Sequence, residues 1–241
     1  MVGVLSNEQL VSYRRNGFVC LPSAFGRDLA LRCRDILWEQ LDEDRHDPGT
    51  WRRPVARLGS QTDPAFGAAA QSPRWVAAIR EVAGPLADPT PWIGGTFAIR
   101  FPVDGEAGDD GWHIEGSYAG NDGSWWTNYW SKDRALLMLV LFSDIGEDDA
   151  PTRIRVGSQR YIRDVLLPHG EQGASDRRIA LPDEVHSCPL AHAVGRAGDV
   201  YLCHPFLVHA GQTHRGAEPR FIAQPGVPWK DGGRLSADDC V

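Results

Sequence analysis

The sequence predicts a mainly β protein with N-terminal helices, its core a double-stranded β-helix of the jelly-roll or cupin-like kind. Two observations carry this. From residue 91 onward, short apolar runs separated by Gly, Pro and Asp replace the helical rhythm of the earlier chain. The 241 residues, 42% of them hydrophobic, also suit one large unit with its own core, a size that sandwiches and barrels commonly reach. We therefore read 1–241 as a single domain. Residues 1–90 form a helical and loop support section, 91–231 the β core, and 232–241 a loose tail.

The elements follow in order. Ser6 to Tyr13 predicts a short helix: Ser6 can cap it, Glu8 and Gln9 occupy the first turn, and Gly17 stops it. Phe18 to Leu21 is a short strand ended by Pro22. Asp28 to Leu41 has the i, i+3, i+4, i+7 spacing of an amphipathic helix. Residues 45–75 are rich in Pro and Gly and read as irregular chain, and Arg74 to Val82 as a further helix. Strands are expected at Trp92–Phe101, Ala135–Phe142, Arg153–Val156, Val200–Cys203 and Phe221–Ala223.

Composition excludes several classes. The formal charge is −7, so no basic surplus speaks for nucleic acid. The five cysteines are scattered without C-x-x-C spacing, which argues against a zinc knuckle or a disulfide framework and for a reducing cytoplasm. The start, MVGVLSNEQL, lacks the basic and apolar blocks of a signal peptide. The longest apolar run, Ala135 to Phe142, is far too short to span a bilayer.

The chemistry is concentrated in two places. In a strand, residues i and i+2 share a face, so His113 and Glu115 present an imidazole and a carboxylate side by side. A distant run, Gly198 to His209, offers a second imidazole. Two His and one carboxylate on one face of an iron leave positions open for a bidentate keto acid and dioxygen. His204 competes with His209. Five positions separate them, which in a regular strand means opposite faces, but Pro205 interrupts the regularity. His204 is otherwise a hydrogen-bonded support residue. Arg220 favours His209: it follows by eleven positions and opens the apolar run Arg220-Phe221-Ile222-Ala223, where a guanidinium can fork onto a carboxylate. His46, His169, His186, His192 and His214 are expected at the surface or in loops.

Four stretches together resemble the phytanoyl-CoA dioxygenase family of iron oxygenases. They are Leu5-Ser6-Asn7-Glu8-Gln9-Leu10 running to Asn16-Gly17-Phe18-Val19; His113-Ile114-Glu115; Asp149-Ala150-Pro151-Thr152 to Val156-Gly157-Ser158-Gln159-Arg160; and Ala197-Gly198-Asp199-Val200 to His209 and Arg220. The resemblance implies Fe(II) on His113, Glu115 and His209, with 2-oxoglutarate and O2 as cosubstrates. It further implies cosubstrate contacts at Arg220 and Thr152, and a small-molecule substrate oxidised at a C–H bond with release of succinate and CO2. Arg100, thirteen positions before His113, is either a further keto-acid or substrate contact or a surface residue at a strand end. Glu115 stands where the family more commonly has Asp, Gln159 where it often has His, and His214 and Gly216 where Asn and Ser are usual. Halogenases of the superfamily replace the carboxylate with Ala or Gly, and Glu115 argues against that activity.

Trp112, Tyr118, Trp125 and Trp126 crowd around the first motif. They form either a substrate wall over the iron or packing against the helical section. Arg153, Arg155, Arg160 and Arg163 read as a solvated basic face. Two rival functions remain: a cupin-like binding module, and a metal-dependent hydrolase or isomerase, because zinc also accepts His and carboxylate.

Overall fold

The computed structural model describes residues 3–236 and 239. Its elements in chain order are α1 (Asn7–Asn16), β1 (Phe18–Leu21), α2 (Arg27–Trp38), β2 (Val55–Leu58), α3 (Pro64–Ala70), α4 (Pro73–Ala83), β3 (Thr96–Arg100), β4 (Tyr118–Ala119), β5 (Trp125–Thr127), β6 (Leu136–Leu141), β7 (Arg153–Arg155), α5 (Gln159–Leu166), β8 (Ala174–Ser175), α6 (Asp183–Ser187), β9 (Leu190–His192), β10 (Val200–Cys203), β11 (His209–Ala210), β12 (Arg220–Gln224) and β13 (Gly226–Val227). Among the described residues they make three antiparallel sheets. The large one runs β1-β10-β6-β12-β3-β2 with β13 also on β6, and the small ones run β11-β7-β9 and β4-β5-β8.

The central strands are buried on both faces, which is why their sequences are continuously apolar rather than alternating. In β6, Leu136, Met138 and Val140 enter one core and Leu137, Leu139 and Leu141 another. The first core lies under the helices and holds Ala30, Cys33 and Leu37 of α2, Phe66 of α3 and Trp75 of α4. The second lies toward the β11-β7-β9 sheet and holds Ile154 and Ala193 with Tyr201 and Ile222. The same alternation sends Phe97 and Ile99 of β3, and Phe221 and Ala223 of β12, into the first core. Even-numbered positions of both strands therefore face the space between the sheets.

Local chemistry explains the boundaries. Ser6 Oγ accepts from the Gln9 N–H at 3.2 Å and Gln9 Oε1 from the Ser6 N–H at 2.9 Å, a reciprocal cap for α1. Gly17 closes that helix at φ 83°. α2 ends at Trp38 rather than Leu41, because the Gln40 and Leu41 N–H groups bond three residues back and tighten the chain into turns. The stretch 45–75 is more ordered than its composition suggests. Pro64 and Pro73 sit in the first turns of α3 and α4, where a missing N–H costs nothing, and Val55–Leu58 pairs as an edge strand with β3. β3 begins at Thr96 instead of Trp92. Gly95, at φ 77°, lies where a Cβ would come 2.6 Å from the Gln224 carbonyl oxygen. Of the tail, residues 237, 238, 240 and 241 lie outside the described residues. Leu235 is buried, and its N–H donates to the Trp130 carbonyl at 3.1 Å.

No helix among the described residues is long and apolar enough to cross a membrane. The helical layer is fastened to the large sheet by aromatic rings: Phe142 packs at 6.0 Å from Phe25, 5.8 Å from Phe66 and 5.7 Å from Phe97. We expect Phe142→Ala to lower unfolding stability by about 3–5 kcal/mol, read as a reduced midpoint in urea. A loss under about 1 kcal/mol would show that these contacts contribute little.

Candidate metal centre

His113 and His209 lie ninety-six residues apart and meet through one antiparallel bridge. The N–H of each donates to the carbonyl of the other at 3.0 Å. The bridge sets the rings 4.6 Å apart between centroids. Each Nδ1 rests on a carbonyl two residues earlier, His113 on Gly111 at 2.8 Å and His209 on Leu207 at 3.0 Å. With Nδ1 protonated, both Nε2 atoms are left as free bases facing one point, the orientation a metal requires. Ile114 turns away and is buried, so extended chain carries Glu115 back to the same side.

Glu115 Oε1 lies 3.7 Å from His113 Nε2 and 3.5 Å from His209 Nε2. All three ligand atoms fall within 4.8 Å of one another. Ligands about 2.1 Å from a common ion stand about 3 Å apart at right angles, so a small inward movement closes the site. His209 Nε2 is buried without a hydrogen-bond partner, an unmet acceptor that a cation satisfies. Burial works against charge on Glu115, yet the two imidazoles hold its carboxyl well below the usual carboxylate range. Burial also opposes protonation of His113, and the Glu115 carboxylate outweighs it and raises that pKa.

His204 stands apart. It is buried, its Nδ1 accepts from the Phe206 N–H at 3.1 Å, and burial pushes its pKa down to about 4. The three-residue cluster contains His209 and not His204.

The cluster opens on a cavity of about 200 Å³. Thr96, Ala98 and Arg100 face it from β3, and Arg220, Ile222 and Gln224 from β12. Arg100 and Arg220 are direct partners across the two strands, and each is only 2% exposed. Like charges opposite one another in a sheet repel, more so in a dry interior. Their neutralisation is partial. Arg220 Nη1 donates to the Ala150 carbonyl, while Arg100 pairs with Asp109, which also takes Arg57 Nη2 at 2.7 Å. The Nε atoms of both buried arginines have no partner. Burial first, and Arg100 second, drive the Arg220 pKa well below its ordinary value. Burial opposes charge on Asp109 too, but Arg100 and Arg57 keep its pKa lowered. The cavity thus holds more positive than negative charge at its arginine end. A forked carboxylate fits that imbalance. Thr152, 4% exposed, lines the same space.

The aromatic residues part company. Trp112 is stacked on by Arg153 at 4.8 Å and Arg155 at 4.3 Å, which takes both guanidiniums off the expected solvated face. Tyr118 and Trp126 pair across β4 and β5; Tyr118 donates to the Gln172 carbonyl and Trp126 Nε1 to Ser124 Oγ at 2.9 Å. None of these three lines the cavity with the His-Glu-His cluster. Trp125, 55% exposed, lines a second cavity of about 290 Å³ that shares Thr96, Glu115 and Gln224 with the first. His46, His169 and His186 are exposed and His192 half-buried. His214 lies in a loop, one of its two expected settings, but is buried there. Its loop folds inward because Arg215 and Gly216 N–H groups both donate to the Asp148 carbonyl at 2.8 Å, leaving the ring 7% exposed.

Arg57, Asp109, Arg134 and Gln224 are among the residues at these cavities that escaped the sequence reading. Arg134 carried a usable signal, since it opens the apolar run of β6 as Arg220 opens that of β12. Asp109 carried none: it sits in a Gly-rich loop and meets Arg57 across fifty-two positions.

A family model described as phytanoyl-CoA dioxygenase (PhyH) matches residues 13–222, and the chain belongs to this family. Similar solved structures include HygX from Streptomyces hygroscopicus with nickel and 2-oxoglutarate bound, 21% identical over 95% of this chain and 88% of that one, TM-score 0.60. The epimerase SnoN in complex with Fe3+, alpha ketoglutarate and nogalamycin RO is 18% identical over 92% of this chain and 82% of its own, TM-score 0.61. EctD from S. alaskensis in its apoform is 17% identical over 99% and 82%, TM-score 0.61. No curated protein matches the sequence. These likenesses establish the fold as the mainly β, double-stranded β-helix arrangement, here of open antiparallel sheets.

Asp109→Asn removes the carboxylate that Arg100 and Arg57 share. We expect a loss of about 1–3 kcal/mol at pH 7. The Asp109 pKa is lower folded than unfolded, so its contribution is present above the ordinary carboxylate value, about 3.9, and fades as pH falls through the folded one. Urea unfolding of both proteins checks this: the wild-type advantage should shrink toward acid, and an advantage that grows there sinks the assignment.

Proposed function

We propose that this chain is an Fe(II)- and 2-oxoglutarate-dependent oxygenase that attacks a C–H bond of a small molecule, hydroxylation being the reading we favour. His113, Glu115 and His209 are its metal ligands, and Arg220 is the anchor for the far carboxylate of the keto acid. One observation carries the reading. A buried, incompletely neutralised pair of guanidiniums lines the same cavity as a His-Glu-His cluster whose buried Nε2 lacks a partner.

Two imidazoles and one carboxylate on one face suit a non-haem iron with open positions. Iron and 2-oxoglutarate, when bound, would activate dioxygen, which is the oxidant: one oxygen atom would go to the keto acid as it loses CO2 and becomes succinate, and the other would oxidise the substrate C–H bond. The chain supplies the rest. The carbonyls of Gly111 and Leu207 fix the two imidazoles. Arg220 offers a planar fork, Arg100 adds charge opposite it, and the Thr152 hydroxyl stands at the wall as a donor. HygX and SnoN were each solved with a metal and this keto acid, which supports the same pairing here. SnoN is an epimerase, so the fold serves more than one outcome of C–H attack. The four free cysteines among the described residues suit a reducing cytoplasm.

Anaerobic titration with Fe(II) and then 2-oxoglutarate separates this reading from a zinc hydrolase or a metal-free binding module: a weak visible charge-transfer band is expected. We expect Arg220→Ala to weaken 2-oxoglutarate binding by about tenfold or more, or about 1.4 kcal/mol, with Arg220→Lys intermediate because it keeps charge but loses the fork. In Fe(II) titrations, His209→Ala and Glu115→Ala should lose metal while His204→Ala retains it. Full metal affinity in His209→Ala would falsify the ligand set.

A further inference from the structure

On the other side of Glu115 lies the second cavity, and its walls say what it takes. Three of its residues ionise: Glu115, Asp133 and Arg134. Under the function proposed above, Glu115 is occupied by the metal. Asp133 is exposed at the rim. Arg134 is the one cation of the cavity, and its Nη1 is buried without a hydrogen-bond partner. A guanidinium carries five donors and binds carboxylates through two at once. Leaving such a donor dry and unpaired is costly, and the cost is removed when a ligand supplies the acceptor.

The backbone is adapted to hold the group there. β13 runs beside β6, and a Cβ on Gly226 would come within 2.9 Å of Arg134 Nε. Glycine at 226 therefore lets the guanidinium lie against the strand and reach the cavity. Burial pulls the Arg134 pKa down, and the charges of Glu115 and Asp176 work against that fall. The rest of the wall is mixed: the Trp125 ring offers an apolar face, and Ser117, Thr96 and Gln224 offer hydrogen bonds. A volume near 290 Å³ sits at the small end of ligand pockets.

We propose that this second cavity is the substrate pocket and that Arg134 is a specificity-determining residue that binds a carboxylate on a small organic acid. The inference rests on the oxygenase reading, since that reading makes Glu115 the boundary between metal and substrate. The carboxylate docks on Arg134, and the body of the molecule lies along Trp125 with a C–H bond turned toward the metal cluster.

The test uses the full chain loaded with Zn(II) and saturating 2-oxoglutarate, so that nothing turns over. Ligand-observed NMR titrations then compare matched acids and amides: L-proline with L-prolinamide, and cyclohexanecarboxylate with cyclohexanecarboxamide. We expect at least one acid to bind about tenfold or more tightly than its amide, a difference of about 1.4 kcal/mol. That ratio should fall toward one in Arg134→Gln and take an intermediate value in Arg134→Lys. Gly226→Ala keeps the charge but crowds it, and should weaken the acid several-fold; it carries the test if Arg134→Gln does not fold. Equal binding of acid and amide, binding of no acid, or an unchanged ratio in Arg134→Gln overturns the proposal. Binding of Zn(II) and 2-oxoglutarate to the wild type is measured first. Its failure sinks the oxygenase reading, whereas intact cosubstrate binding without acid preference sinks the carboxylate pocket alone.

Discussion

Two guanidiniums buried opposite one another across β3 and β12 are the constraint to which the rest of the structure answers. A sheet registered for stability alone would not place Arg100 against Arg220 in its interior. The neighbouring parts can be understood as responses. The Ala150 residue, at φ 51°, turns its carbonyl to one guanidinium. The Gly-rich loop brings Asp109 to the other. Flanking Phe97, Ile99, Phe221 and Ala223 face the opposite way into a tightly packed core, which keeps the strands from slipping. Consistent packing around one inconsistent pair of charges is the pattern of a site maintained for something other than fold.

The metal cluster depends on a different kind of constraint. Neither His113 nor Glu115 lies in a regular strand; a single two-bond bridge to β11 holds the segment. β11 in turn pairs with β7, and β7 with β9, so the small sheet acts as the frame for the His-Glu-His cluster. The large sheet frames the arginines. The cavity is the space between the two, which is why both groups reach it from strands far apart in sequence.

Much of this was legible before the structure. The strands β6, β10 and β12 announced themselves because burial on both faces demands unbroken apolar runs. α1 was legible from Ser6, Gln9 and Gly17, whose chemistry is local. The i, i+2 spacing also anticipated that His113 and Glu115 would share a side, although the segment is extended chain with one bridge and not the expected strand. The illegible parts share a physical cause. β2 is a four-residue edge strand beside Pro54, and only its pairing with β3 makes it a strand. α5 hides because Gly157 and Ser158 precede a short segment whose buried face is only Gln159, Ile162 and Leu166. The surroundings of Trp112 and Trp126 were undetermined because an aromatic ring fits a core, a cation stack or a pocket wall equally well. Asp109 and His214 depend on loop paths, which side-chain pattern does not encode.

Thr96, Glu115 and Gln224 border both cavities, and that shared partition has a thermodynamic meaning. Two ligands that touch one wall are not independent. If filling one chamber fixes these three side chains in a single rotamer, the second arrival no longer bears that loss of freedom, and affinity on each side rises with occupancy on the other. Such a dependence is reciprocal by necessity: the factor by which one guest strengthens its neighbour is the factor by which the neighbour strengthens it. Under the proposed function, a wall of three residues would in this way let the fold sense, without any moving domain, whether both chambers are filled.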